Sequence, residues 1–162
     1  MMGTRSGDID GGAITYLQKK LHLGPDEMSD FLNKKCGMAG VTGISSDMRE
    51  IEAACAEGNR QAQLGLDMYN YRIKKYIGAY AAAMNGLDII VFTAGVGENQ
   101  ASMRAAVCRD MDFMGVKVDE ALNATIRGKE AVISTPDSKV KVVVIPTDEE
   151  LMIASDTAAL VK

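Results

Sequence analysis

Two short apolar runs constrain this chain more than any other feature of its sequence. IIVFTAG, residues 89–95, is rich in β-branched residues, apolar on both faces and too short for a helix. KVKVVVIP, residues 139–146, repeats the pattern. Such runs fit strands covered on both sides, as in a mainly parallel sheet, and a third short strand is expected at Ala131–Thr135. Helical patterns alternate with them. One spans Ala13–His22 and stops at Gly24-Pro25, and another spans Asp26–Lys35. The strongest covers residues 59–84, where Ala62, Leu66, Tyr69, Ile73, Tyr76, Tyr80 and Met84 step by three or four and predict one buried face. Further helices are expected from Glu98 to Asp110 and from Thr147 to Leu160, with loops at 1–12 and 37–46. This alternation indicates an α/β layered domain, with no sequence case for two complete domains.

Composition excludes several alternatives. With 162 residues and 47% apolar content the chain can bury a real core. A net charge of −4 with a pI near 5.0 argues against a general nucleic-acid binder. Cys36, Cys55 and Cys108 form neither a disulfide framework nor a zinc spacing, which points to a reducing cytoplasm. Residues 76–97 are long enough to span a bilayer and carry only Asp88 as a charge, but Asn85-Gly86 divides them into the end of a helix and a strand. No membrane partner is expected.

Four motifs could carry chemistry. TAGVGEN, residues 93–99, places glycines where a strand gives way to a helix, suited either to a bound phosphate or nucleotide or to a tight turn capped by Glu98 or Asn99. It is neither a P-loop nor a GxGxxG fingerprint. SSDMRE, residues 45–50, reads as a helix start with Asp47 as cap and Glu50 reaching back, and Arg49 hints at an anion or purine contact. In PTDEE, Thr147 and Glu150 form a capping box, leaving Glu149 either solvated or near Mg²⁺. In GTRSGDID, Arg5 can clamp a phosphoryl group or share in a surface turn with Asp8 and Asp10.

Taken in order, GTRSGDID, SSDMRE, IIVFTAGVGEN and VIPTDEELMIA resemble the C-terminal part of the acetate kinases, members of the acetate and sugar kinase, Hsp70 and actin superfamily. The resemblance implies a ribonuclease H-like (actin-like ATPase) α/β domain with a mixed sheet flanked by helices. It also implies that residues 1–162 are the nucleotide-binding domain, lacking its first strands and the N-terminal domain. The implied reaction moves the γ-phosphoryl group of ATP reversibly to acetate with Mg²⁺, giving acetyl phosphate and ADP. Propionate or butyrate kinase is the alternative within the family, and a non-catalytic nucleotide-binding or dimerisation module the alternative outside it.

The resemblance further implies site roles. Arg5 steadies the phosphoryl group in transfer, and Asp47, Met48 and Arg49 border the adenosine. Gly95, Val96, Gly97, Glu98 and Asn99 pack against the nucleotide, and Glu149 belongs to the magnesium site. Gly11-Gly12 departs from the family, which commonly has proline there. The expected consequence is a homodimeric enzyme of which this chain is a catalytically incomplete fragment.

Overall fold

The structure is a computed structural model that describes residues 1–161, in two compact units, Met1–Ile77 and the residues from Gly78 onward. The first unit is helical. Asp10 caps α1 (Gly11–Leu21) by accepting from the Gly12 and Ala13 amides at 2.8 and 3.2 Å. That cap starts the helix two residues before the expected Ala13. His22 ends it in the left-handed region at φ 54°. Helix α2 (Pro25–Lys34) opens on Pro25, and Glu27 reaches back to the Gly24 amide at 2.8 Å.

The expected loop at 37–46 is instead a short helix, α3 (Gly37–Thr42), before α4 (Met48–Ala56). Its last residue, Thr42, packs against Gly65 farther along the chain, where a Cβ would stand 2.5 Å from the Thr42 side chain. Met28, Met38, Met48, Ile51 and Ala62 form this unit's buried core. Helix α5 (Arg60–Met84) runs from the first unit into the second. Its predicted face is buried only at Ala62. Leu66, Tyr69 and Ile73 are half-buried, and Tyr76, Tyr80 and Met84 are exposed.

The second unit holds a mixed three-stranded sheet in the order β1-β3-β2, formed by β1 (Ile89–Phe92), β2 (Ala131–Val132) and β3 (Lys141–Val144). β1 and β3 are parallel with Phe92 opposite Val144, and β2 is antiparallel to β3. The expectation that β1 is covered on both faces is not met. Ile90 and Phe92 are buried, whereas Ile89 and Val91 remain about half exposed at 49% and 48%. One face packs with Met103, Val107, Val116, Ile126 and Ile133 in the core, and the other lies open.

The helix expected from Glu98 to Asp110 is two helices, α6 (Ala94–Asn99) and α7 (Ala101–Cys108), broken at Gln100 by an extended backbone. α8 (Glu120–Thr125) follows, capped by the Asp119 carboxylate on the Leu122 amide. The last helix, α9 (Glu149–Leu160), is capped by Asp148, which accepts from the Leu151 amide at 2.9 Å. Thr147 therefore does not open the expected capping box. α9 is exposed along its length, including Leu151, Met152 and Ile153.

Candidate functional site

Arg5 lies in a segment that glycine content marks as loose, but hydrogen bonds hold it tightly. The Ser6 amide donates to Leu32, and the Cys36 amide donates to Thr4, each at 2.9 Å. The Met38 and Ala39 amides donate to the Met2 and Gly3 carbonyls at 2.8 and 2.9 Å. Gly37 permits this contact. Its φ is +62°, and a Cβ there would fall 2.3 Å from the Met2 oxygen and 2.8 Å from the Arg5 oxygen.

Beyond Arg5, the Asp8 carboxylate accepts from the Arg72 guanidinium and the Tyr76 hydroxyl of α5. The Tyr76 hydrogen bond, with the Arg72 charge, holds the Asp8 carboxyl below its usual range. These residues line a cavity of about 340 Å³ whose walls also include Tyr69 and Ile73. Arg5 itself is exposed, on a backbone pinned at both ends.

Asp47 caps α4 as expected, accepting from the Arg49 amide at 2.9 Å. The same carboxylate takes the Arg49 guanidinium at 2.5–3.2 Å, and the Asp47 amide, expected to be met by Glu50, donates instead to the Ser45 hydroxyl at 3.0 Å. The Arg49 hydrogen bond lowers the Asp47 carboxyl to about 2. Met48 is buried in the core.

In the second unit, the parallel pair brings two loops out side by side. Because Phe92 and Val144 are paired and the Ile145 amide donates to the Phe92 carbonyl at 3.0 Å, TAGVGEN and PTDEE leave from the same edge. Open α/β sheets bind ligands at this carboxyl-terminal edge. The Glu98 carboxylate accepts from the Thr147 amide at 2.8 Å and the Thr147 hydroxyl at 3.0 Å. The Asn99 side chain donates to the Gly95 carbonyl at 2.9 Å.

The glycines divide the work. A Cβ on Gly95 would meet nothing within 4 Å, so that position is open to a ligand. Gly97 is buried, and its Cβ would stand 3.2 Å from the Phe92 backbone. Gly97 therefore lies at the close packing of α6 on β1, where a Cβ would be tight against the Phe92 backbone. Val96 is half-buried beside it.

Arg104 is the residue that sequence reasoning misses. Fully buried on α7, it donates to the Gly97 and Glu98 carbonyls at 2.8 and 3.0 Å, to the Asn123 side chain at 2.7 Å, and to the Asn123 and Ile126 carbonyls at 3.1 and 2.7 Å. All these acceptors are neutral, and burial pushes its pKa down from the ordinary value. The available signal was its place on the stripe Met103, Val107 and Cys108, where an exposed cation does not belong.

Glu149 lies exposed on the first turn of α9, next to Asp148, whose carboxylate serves as cap. Among the described residues no cluster of three His, Cys, Asp or Glu side chains could cage a metal ion. A single exposed carboxylate fits Mg²⁺ that keeps most of its waters and is held largely by phosphate oxygens. No helix among the described residues is long and apolar enough to cross a membrane.

The family model described as "Acetokinase family" matches residues 1–155. The acetate kinase of Bacteroides thetaiotaomicron is 64% identical over the whole chain, which covers 41% of that protein. The crystal structure of Porphyromonas gingivalis acetate kinase shares 58% identity with a TM-score of 0.94, covering 100% of this chain and 41% of the other. A propionate kinase structure from Francisella tularensis shares 36% identity with a TM-score of 0.85, covering 94% of this chain and 38% of the other. The chain thus spans about two fifths of the length of the relatives it matches, and its fold is that part of an actin-like ATPase.

Proposed function

Because this chain belongs to the acetokinase family, we propose that it supplies the ATP- and Mg²⁺-holding part of a kinase that phosphorylates acetate. The reaction transfers the γ-phosphoryl group of ATP to an acetate oxygen, giving acetyl phosphate and ADP, and runs in both directions. The observation that carries this reading is the sheet edge where Glu98 holds Thr147, setting the glycine loop beside the acidic turn.

Each group has a task its local geometry suits. Exposed Gly95 offers backbone to the nucleotide, with its carbonyl direction set by Asn99. Val96 adds apolar surface, and Gly97 keeps the loop close to β1. Asp47 and Arg49 border the adenosine, their ion pair presenting one defined edge, while Met48, buried in the core, anchors the turn that carries them. Arg5 offers a planar, permanently charged fork to the phosphoryl group, whose charge spreads over its oxygens during transfer. Its pinned backbone lowers the cost of orienting that fork. Glu149 would hold Mg²⁺ through its water shell, and the ion when bound neutralises charge on the phosphates.

The chain provides no acyl pocket of its own in this reading, so acetate binds in the part of the enzyme that lies outside these residues. Likeness to a propionate kinase supports propionate as the second acceptor to test. We also propose that the enzyme is a cytoplasmic homodimer. The exposed Tyr71, Tyr80, Met84 and Ile153 support association, as surface that a further chain segment or second copy covers. Light scattering checks this, and a stable monomer of the full enzyme would contradict it.

The decisive experiment fuses these residues to the preceding part of a full-length relative and assays acyl phosphate formation with acetate, propionate and butyrate. Activity highest with acetate and dependent on Arg5 is expected. A fusion that folds and binds ATP but phosphorylates none of the three acids would overturn the reading in favour of a binding module.

A further inference from the structure

We infer that Glu98 is a positioning residue that couples the nucleotide loop to the metal-holding turn, rather than a ligand of the nucleotide or of the metal. The inference deepens the reading under "Proposed function" and rests on it. The Glu98 carboxylate reaches across to Thr147. One oxygen, Oε1, accepts both the Thr147 amide at 2.8 Å and the Thr147 hydroxyl at 3.0 Å. Thr147 comes two residues before Glu149 and directly before Asp148, the cap of α9. Holding Thr147 therefore sets where α9 begins and where the Glu149 carboxylate stands.

The other side of Glu98 is anchored as firmly. Its carbonyl accepts from Arg104 at 3.0 Å and from the Gly128 amide at 3.1 Å, and the preceding carbonyl, of Gly97, accepts from Arg104 at 2.8 Å. Gly97 in turn lies against the Phe92 backbone. A rigid path thus runs from the buried Arg104 through the Glu98 backbone to its carboxylate and on to Thr147. The exposed partner of the path is the metal turn, which has no buried side chain of its own along α9. Without Glu98, the turn keeps its Asp148 cap but loses its tie to the nucleotide loop. The physical result is a Glu149 that must be ordered when the metal–nucleotide complex binds, which costs affinity for that complex alone.

The role makes two demands that other roles do not. Both bonds run to one acceptor oxygen, so glutamine, whose carbonyl oxygen accepts the same pair, can replace glutamate. A metal ligand or a nucleotide contact made through charge would not tolerate that change. In addition, only metal-dependent binding suffers, because the nucleotide loop remains held by Arg104.

The test measures ADP binding to the purified chain by calorimetry with and without Mg²⁺, together with amide exchange at Thr147. In Glu98→Ala, the tightening of ADP binding by Mg²⁺ is expected to shrink roughly tenfold, the scale of losing charge-assisted hydrogen bonds. Metal-free ADP affinity stays within about twofold, well under the 1.4 kcal/mol of a tenfold change, and exchange at Thr147 quickens. Glu98→Gln stays close to the parent in all three. Thr147→Val, which removes only the hydroxyl bond, shifts Mg²⁺ dependence in the same direction and serves if Glu98→Ala fails to fold. Equal losses with and without Mg²⁺, a Glu98→Gln variant as poor as Glu98→Ala, or unchanged Mg²⁺ dependence each overturn the inference. If the parent chain binds no ADP under either condition, the underlying functional reading falls and this inference with it. Binding by the parent with unaltered Mg²⁺ dependence in the variants removes the inference alone.

Discussion

Gly37 lies against the backbone of Arg5 so closely that a Cβ on it would come within 2.8 Å of the Arg5 carbonyl oxygen. Its φ of +62° adds a second restriction on what residue can occupy the position. Both bear on the residue proposed to handle the phosphoryl group, although Gly37 is itself buried at the start of α3.

Gly37→Ala should therefore cost stability and displace Arg5 together. The left-handed backbone alone is worth about 1–3 kcal/mol for a residue with a Cβ, and the contact with Met2 adds to it. Urea denaturation measures the first effect. In an active fusion, turnover should drop more than ATP affinity; a Gly37→Ala protein with unchanged stability and turnover would show that the Arg5 segment tolerates movement.

Arg5→Ala should leave the fold intact, since the side chain is exposed and the segment is held through its backbone. Its loss should appear in kcat, because the charge counts most when the phosphoryl group is in transit. A change confined to the Michaelis constant for ATP would assign Arg5 to ground-state binding instead.

Gly95 and Gly97 should separate ligand contact from packing. Gly95→Ala meets no neighbour and gains helix propensity, up to about 1 kcal/mol, so a stability equal to or above the parent's is expected alongside weaker ATP binding. Gly97→Val should lower stability as well, because its side chain would press on the Phe92 backbone. Thermal melts with ATP titrations distinguish the two; an undiminished ATP affinity in Gly95→Ala would remove this loop from the nucleotide site.

Arg104→Met should destabilise the second unit by at least about 3 kcal/mol, since several buried acceptors lose their donor at once. Arg104→Lys should rescue only part of this, having three donors on a point charge in place of a planar fork. Chemical denaturation gives the comparison, and equal stability of the lysine variant and the parent would mean the fork geometry is unimportant.

Acid should weaken the first unit through Asp47. Its folded carboxyl is lowered from 3.8 to about 2, chiefly by the Arg49 hydrogen bond. A depressed value means the contribution is complete above the unfolded value and disappears as pH falls from near 3.8 through about 2. Asp8, lowered by Tyr76 and Arg72, acts in the same direction. Asp47→Asn should flatten the stability profile in that window, and carboxyl NMR titration should find Asp47 still ionised at pH 3.

Much of this was legible in the residues because it depends on local chemistry. The β-branched run at 89–92 forms a strand wherever a sheet receives it, Gly24-Pro25 separates two helices, and Asp47 caps the helix that follows it. The order of four short motifs was enough to indicate the family. What the residues alone did not decide were choices among partners distant along the chain. Thr147 sits three residues before Glu150, which locally favours a capping box. Yet the parallel pairing of β1 with β3 brings Glu98 to it from 49 residues away, and Asp148 becomes the cap. The contact of Gly97 with Phe92 and the five hydrogen bonds that Arg104 donates inside the second unit have no local signature of this kind. Local propensity follows from a residue and its near neighbours, whereas a hydrogen-bond partner or a buried face depends on which distant segment the sheet register delivers.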